Sequence, residues 1–213
     1  MATVQGLIDQ VKQEAQFDVT DTAALAWLDR RHKKMVVRAR AYRKTATISG
    51  GTVANQRDYA LPSDLVEVLE VLVGGIPYGR ATHTDLSYGA QGWVMLSGIG
   101  GVVASEEDSS GGAEIALYPI PTTSADPILV RGIFRPSDLL VGTDSTIKVP
   151  DEFLDSLVSG AIATGLQRQE YRPDLAASFE QDYTDACEEW RRQVRRRYRG
   201  AGPTPIRIQG VNI

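Results

Sequence analysis

Residues 150–200 read PDEFLDSLVSGAIATGLQRQEYRPDLAASFEQDYTDACEEWRRQVRRRYRG, and this stretch decides the fold. Phe153, Leu157 and Ala161 recur every four residues, with Leu154, Val158 and Ile162 one step behind. That spacing lays a broad apolar face on a helix. Pro150 suits the first helical position, and Asp151 and Glu152 sit where the positive end of a helix dipole favours carboxylates. Pro173 is incompatible with a helix interior, which predicts a turn at Tyr171-Arg172-Pro173. Beyond it Leu175, Phe179, Tyr183, Cys187 or Ala186, Trp190, Val194 and Tyr198 form one stripe on a second, longer helix, with Gly200 as its stop. The stretch is a helical hairpin packed through Phe153, Leu157, Phe179, Tyr183, Trp190 and Val194. Its apolar faces must meet each other and something further.

Helical spacing returns at the other end of the chain. Val4, Leu7, Ile8 and Val11 read as a short amphipathic helix. Thr20 or Asp21 can cap a second helix, running from Thr22 to about Lys44. One side of it carries Leu25, Leu28, Met35, Val36, Ala39 and Tyr42. Arg30, Arg31, Lys33, Lys34, Arg38 and Arg40 take most of the rest. Such a face is either simply solvated or presented to DNA or an acidic neighbour.

Between the helices the texture changes to strands and turns. Thr45-Ala46-Thr47-Ile48, the turn Ser49-Gly50-Gly51 and Thr52-Val53-Ala54 read as a β-hairpin. Tyr59 to Asp64 is extended, and Leu65 to Val73 alternates as a strand does, without excluding a helical turn. Further strand candidates are Trp93–Leu96, Val102–Ala104, Glu114–Tyr118 and Ile128–Phe134, with a short helix expected near Thr84–Tyr88. The Gly- and acid-rich Glu106–Gly112 reads as an exposed loop tip. After Gly200 the chain resumes apolar alternation, and Pro203 and Pro205 hold it extended. Ile206, Ile208, Val211 and Ile213, with Arg207 among them, form an arm fitted to a partner's groove or sheet edge.

These readings combine into an α+β fold: a helical bundle, of two N-terminal helices and the long C-terminal hairpin, with a small antiparallel β module inserted and an extended C-terminal arm. The expected divisions are 1–44 and 150–200 for the bundle, 45–149 for the β module and 201–213 for the arm.

Composition bounds the function. The 213 residues are 42% hydrophobic with net charge -4, enough for one core and a satellite, and without a global nucleic-acid signal. One cysteine rules out an internal disulfide framework. No secretory signal opens the chain and no apolar run nears the ~20 residues that span a bilayer. The expectation is a soluble intracellular protein with no membrane partner. Charge is segregated: residues 21–44 hold eight Lys or Arg against two Asp, and residues 45–149 hold five basic and twelve acidic side chains.

Chemistry is harder to find. His32 and His83 have no ligand-type neighbours at metal-binding spacing. Cys187 lies on an apolar stripe, where a small core residue is expected. Ser97-Gly98-Ile99-Gly100-Gly101 lacks the third glycine of a dinucleotide loop, and neither a phosphate loop nor a nucleophile elbow occurs. The chain reads as no enzyme, with no cofactor.

The order of parts resembles the head-to-tail adaptors (connector or head-completion proteins) of tailed bacteriophages. The resemblance rests on Ala26-Trp27-Leu28-Asp29-Arg30-Arg31, Tyr59-Ala60-Leu61-Pro62-Ser63-Asp64, Leu117-Tyr118-Pro119-Ile120-Pro121 and Pro150-Asp151-Glu152-Phe153 leading to Glu170-Tyr171-Arg172-Pro173-Asp174-Leu175-Ala176. It covers residues 4–200 and implies a dodecameric ring under the portal, joining capsid to tail around a channel for double-stranded DNA read without sequence specificity. It implies a virion neck location, with host cytoplasm during assembly, and partners in the portal, a tail or neck protein and further copies of the chain. The arm residues Ile206, Arg207, Ile208, Val211 and Ile213 become portal-binding candidates. Arg30, Arg31, Lys34, Arg38, Arg191, Arg192, Arg195 and Arg196 become candidates for electrostatic contacts to neighbouring subunits or the portal. Two other readings stay open: a DNA-binding packaging or regulatory protein using its arginine-rich helices, and a neck or tail-completion protein.

Overall fold

The computed structural model describes residues 3–15, 17–80, 101–107, 113–142, 147–168 and 172–198. The chain divides into two units, Met1–Ala41 with Pro136–Ile213, and Tyr42–Arg135. The expected boundaries were 44/45 and 149/150. Segment 136–142, expected in the β module, instead bonds to the helices: the Leu139 N–H donates to Asp29 Oδ1 at 2.9 Å.

The helical unit holds α1 (Val4–Glu14), α2 (Asp21–Ala39), α3 (Leu154–Arg168) and α4 (Pro173–Tyr198). Thr3 and Thr20 cap α1 and α2, each hydroxyl accepting from a backbone N–H three residues on. α2 stops at Ala39, short of Lys44. Arg40 takes a left-handed conformation (φ 56°), its N–H closing on Val36 and Val37 carbonyls, and β1 begins at Arg43. Pro150 is extended (ψ 149°) and precedes a single 3-10 turn, Asp151–Phe153, so it caps the turn and is not its first helical residue. Pro173 is the first residue of α4, and Arg172 before it takes φ 51° to reverse the chain.

α3 is the centre of this unit. Ten of its 15 residues are buried, glycines Gly160 and Gly165 among them. A Cβ on Gly160 would stand 2.8 Å from Tyr183 Cγ of α4, and one on Gly165 2.6 Å from the Trp27 ring of α2. Both rings therefore lie on bare helix backbone, which brings the axes closer than side chains would allow. The hairpin residues Phe153, Leu157, Tyr183, Trp190 and Val194 are buried, Phe179 is half-buried, and Phe153 stacks on Trp190 with centroids 6.0 Å apart.

The second unit is a seven-stranded sheet in the order β1-β7-β3-β4-β5-β6-β2. Its strands are β1 (Arg43–Ile48), β2 (Asp58–Ala60), β3 (Leu65–Val73), β4 (Ile76–Arg80), β5 (Gly101–Glu107), β6 (Ala113–Tyr118) and β7 (Ile128–Phe134). All pairs are antiparallel except β4 with β5. Leu65–Val73 is a strand throughout. The expected hairpin at Ser49–Gly51 does not form, because β1 pairs with β7. Thr52 exchanges backbone bonds of 2.8 Å with Ala125 and Asp126, and a Cβ on Gly51 would meet the Asp126 carbonyl oxygen at 2.6 Å. Glu106 and Glu107, expected in a loop tip, extend β5 opposite Glu114 and Ala113. The readings at Thr84–Tyr88, Trp93–Leu96 and the arm lie outside the described residues. Ile48, Tyr59, Val68, Val71, Val73, Ile115, Leu117, Ile128 and Val130 form the core of the sheet.

Gly160→Ala tests the close approach of α3 and α4. Alanine alone would gain up to ~1 kcal/mol of helix propensity, but the fully buried Tyr183 cannot retreat, and overpacking costs about 1–3 kcal/mol. A lower urea midpoint is expected; an unchanged or higher one would show that the ring can shift.

Candidate functional site

The helices are joined by polar contacts that sort the basic residues of α2 into inward and outward sets. Arg31 points inward, its side chain 8% exposed. Its Nε donates to Thr164 Oγ1 of α3 at 2.7 Å, and its guanidinium donates to Glu180 Oε1 of α4 at 2.8 Å. The Thr164 hydroxyl itself donates to the Gly160 carbonyl oxygen at 3.0 Å. Tyr183 lies against the guanidinium, 4.9 Å from its ring centroid, and donates its hydroxyl to the Arg31 carbonyl at 2.9 Å. Arg31, expected at a subunit or portal contact, is thus enclosed by its own chain. A buried charge needs a partner and full hydrogen bonding, and α3 and α4 supply both.

One turn away, Asp29 joins Lys33 at 2.7 Å, and Lys33 also pairs with Asp138. Burial opposes the Lys33 charge, but its bonds to Asp138 and Asp29 prevail and raise its pKa. The same pairing lowers that of Asp138. His32 is fully buried and accepts the Lys148 N–H on Nε2 at 3.0 Å. Burial above all, with Lys33 and Lys148 adding and Asp29 opposing, depresses its pKa to about 4. Cys187 is buried, which raises its thiol pKa. It is a core residue, as its stripe implied.

The surface of the unit carries the remaining charge. Arg38 meets Glu188 at 3.0 Å, which Arg191 approaches at 3.8 Å. Arg192 pairs with Glu189 at 3.2 Å. Arg30, Lys34, Arg195 and Arg196 are exposed and make no ion pair among the described residues. The portal-arm candidates Ile206, Arg207, Ile208, Val211 and Ile213 lie outside the described residues.

Sequence reading missed a groove of about 530 Å³ between the start of α3 and the middle of α4. Its walls carry Glu152, Asp155, Asp182, Asp185 and Glu189, with Phe153, Ser156, Ser159 and Ala186 among them. Asp155 accepts from the Gln10 amide and Asp185 from the Gln181 amide, while Arg192 donates to Glu189 at 3.2 Å. The signal was there in principle: Asp182, Asp185 and Glu189 follow helical spacing, but nothing local brings them to Glu152 and Asp155. No group of three or more His, Cys, Asp or Glu among the described residues is arranged to hold a metal ion. No helix among them is long and apolar enough to cross a membrane.

The family model described as SU10 adaptor protein matches residues 2–208, so the chain belongs to that family, as its resemblance to phage head-to-tail adaptors implied. This is an adaptor family, not an enzyme family. No curated protein matches the chain.

His32 makes stability pH-dependent. Its folded pKa lies below the unfolded value, so the unfolded chain binds the proton first and stability falls as pH drops from 6.5 toward 4. The loss by pH 4 is on the order of 3 kcal/mol from this residue. Urea midpoints of wild type and His32→Gln, which keeps an acceptor for Lys148, should converge on acidification. Parallel pH profiles would count against a buried neutral imidazole.

Proposed function

We propose that this chain is the head-to-tail adaptor subunit of a tailed phage, a non-enzymatic virion protein whose copies form a ring between portal and tail. The observation that carries this reading is the family match over residues 2–208, nearly the whole chain. On this reading the ring leaves a passage for double-stranded DNA, assembles in the host cytoplasm and stays at the neck of the virion. A dodecamer would match the portal above it. The arm, residues 202–213, reaches the portal, with Ile206, Ile208, Val211 and Ile213 as alternating anchors and Arg207 between them. The helical unit, the sheet unit and residues 201–213 then correspond to a ring-building body, a second module and a portal tether.

The DNA-binding alternative draws less support. Arg31 is buried against Glu180, and Arg38, Arg191 and Arg192 pair with carboxylates of the same chain, so phosphate would have to compete for them. The neck or tail-completion alternative shares the fold and differs only in its place along the tail axis.

Quantitative mass spectrometry of purified particles tests the reading. A copy number equal to that of the portal is expected, and absence from particles would overturn it. Deleting residues 202–213 should leave a folded chain, by circular dichroism, that is lost from particles; undiminished incorporation would remove the arm from the portal contact.

A further inference from the structure

α4 carries opposite charge on its two flanks. On the flank toward α2, Glu180 and Glu188 are consumed by Arg31 and Arg38. What remains open there is basic: Arg30 and Lys34 on α2, recurring with Arg38 every four residues, and Arg195 on α4. Asp182, Asp185 and Glu189 lie roughly 140–200° round the helix from Glu180, at ~100° per residue. They face away from α2 and line the groove with Glu152 and Asp155. Glu152 and Asp182 make no ion pair or hydrogen bond among the described residues.

Resting on the reading that the chain works as a homo-oligomer, we propose that the acidic groove at α3 and α4 of one copy receives the basic α2 flank of the next. The occupant is a second copy because the complementary charge is on the same rigid helical unit, on the side the groove does not face. A two-fold dimer through either flank would set like charges against each other. Acid to base is satisfied only head to tail, where each copy uses one flank on each neighbour. Such a heterologous contact propagates and closes into a ring when the rotation permits. The groove also supplies what a lysine or arginine stem needs: Phe153 and Ala186 for its methylenes, and carboxylates around them for its head.

Sedimentation velocity on the full chain tests this with paired charge reversals of exposed residues. Wild type should form oligomers that weaken as salt rises. Asp182→Lys/Asp185→Lys, or Arg30→Glu/Lys34→Glu, should each weaken association by about tenfold or more, with circular dichroism unchanged. Mixing the two variants should restore assembly, because reversed groove then meets reversed flank and the native pair also remains. Carrying all four substitutions on one chain should restore it as well. Oligomers indifferent to either reversal, or a mixture that stays dissociated, would overturn the proposed contact while leaving the homo-oligomer reading intact. Wild type that stays monomeric at every concentration and salt would overturn that reading and the contact with it.

Discussion

The helical unit depends on one buried cation. The Arg31 guanidinium is held by Thr164 and Glu180, and its own carbonyl receives the Tyr183 hydroxyl. Thr164 donates a hydrogen bond to the Gly160 carbonyl, and the absent side chain of Gly160 makes room for the Tyr183 ring. The contacts close into a loop through three helices. The hydroxyl of Thr164 gives one bond and takes one, the carbonyl of Arg31 has a second lone pair for the tyrosine, and Glu180 Oε2 meets the guanidinium as an ion pair at 2.6 Å. Such a site adds little net stability over a well-packed apolar one, since desolvation offsets most of the attraction. Breaking it by removing one partner costs about 3–5 kcal/mol. Its chief effect is on register, because sliding α2 by one turn would carry the guanidinium ~5.4 Å from Thr164 and Glu180.

The same helix therefore has two electrostatic tasks that its composition does not distinguish. Arg31 and Arg30 are adjacent in sequence, but a rotation of ~100° per residue puts one in the core and the other in water. Arg38 lies between these extremes, half-buried against Glu188. Counting the basic residues of residues 21–44 overstates the cationic surface, since Lys33, Arg31 and Arg38 are each neutralised by a carboxylate of the same chain.

What sequence could reveal followed from distance along the chain. The hairpin of α3 and α4 was legible because apolar residues recur at helical spacing and Pro173 marks the reversal. The cap at Thr20 and the strands β3, β6 and β7 are equally local. The pairing of β1 with β7 was not, because Ser49-Gly50-Gly51 is good hairpin chemistry that a tertiary partner overrode. Thr52 found Ala125 and Asp126, and no short-range signal announces a partner more than seventy residues away. The groove was hidden for the same reason. Asp182, Asp185 and Glu189 share one helix face, but only the fold brings Glu152 and Asp155 beside them. Arg31 was misread outward because its partners, Thr164 and Glu180, belong to helices that only the fold places around it.

A surface built this way suits assembly that a template favours. Exposed ion pairs each contribute about 0–1 kcal/mol in water and weaken with salt, so one contact between two free copies is marginal. In a ring every copy makes two, and closure turns the last association into an intramolecular event of high effective concentration. An adaptor held at its portal would meet its neighbours at that concentration from the start, whereas free copies would associate only as far as their own concentration and the salt allow. On the proposed reading, the weakness of each charged flank biases ring closure toward the portal without abolishing association in solution.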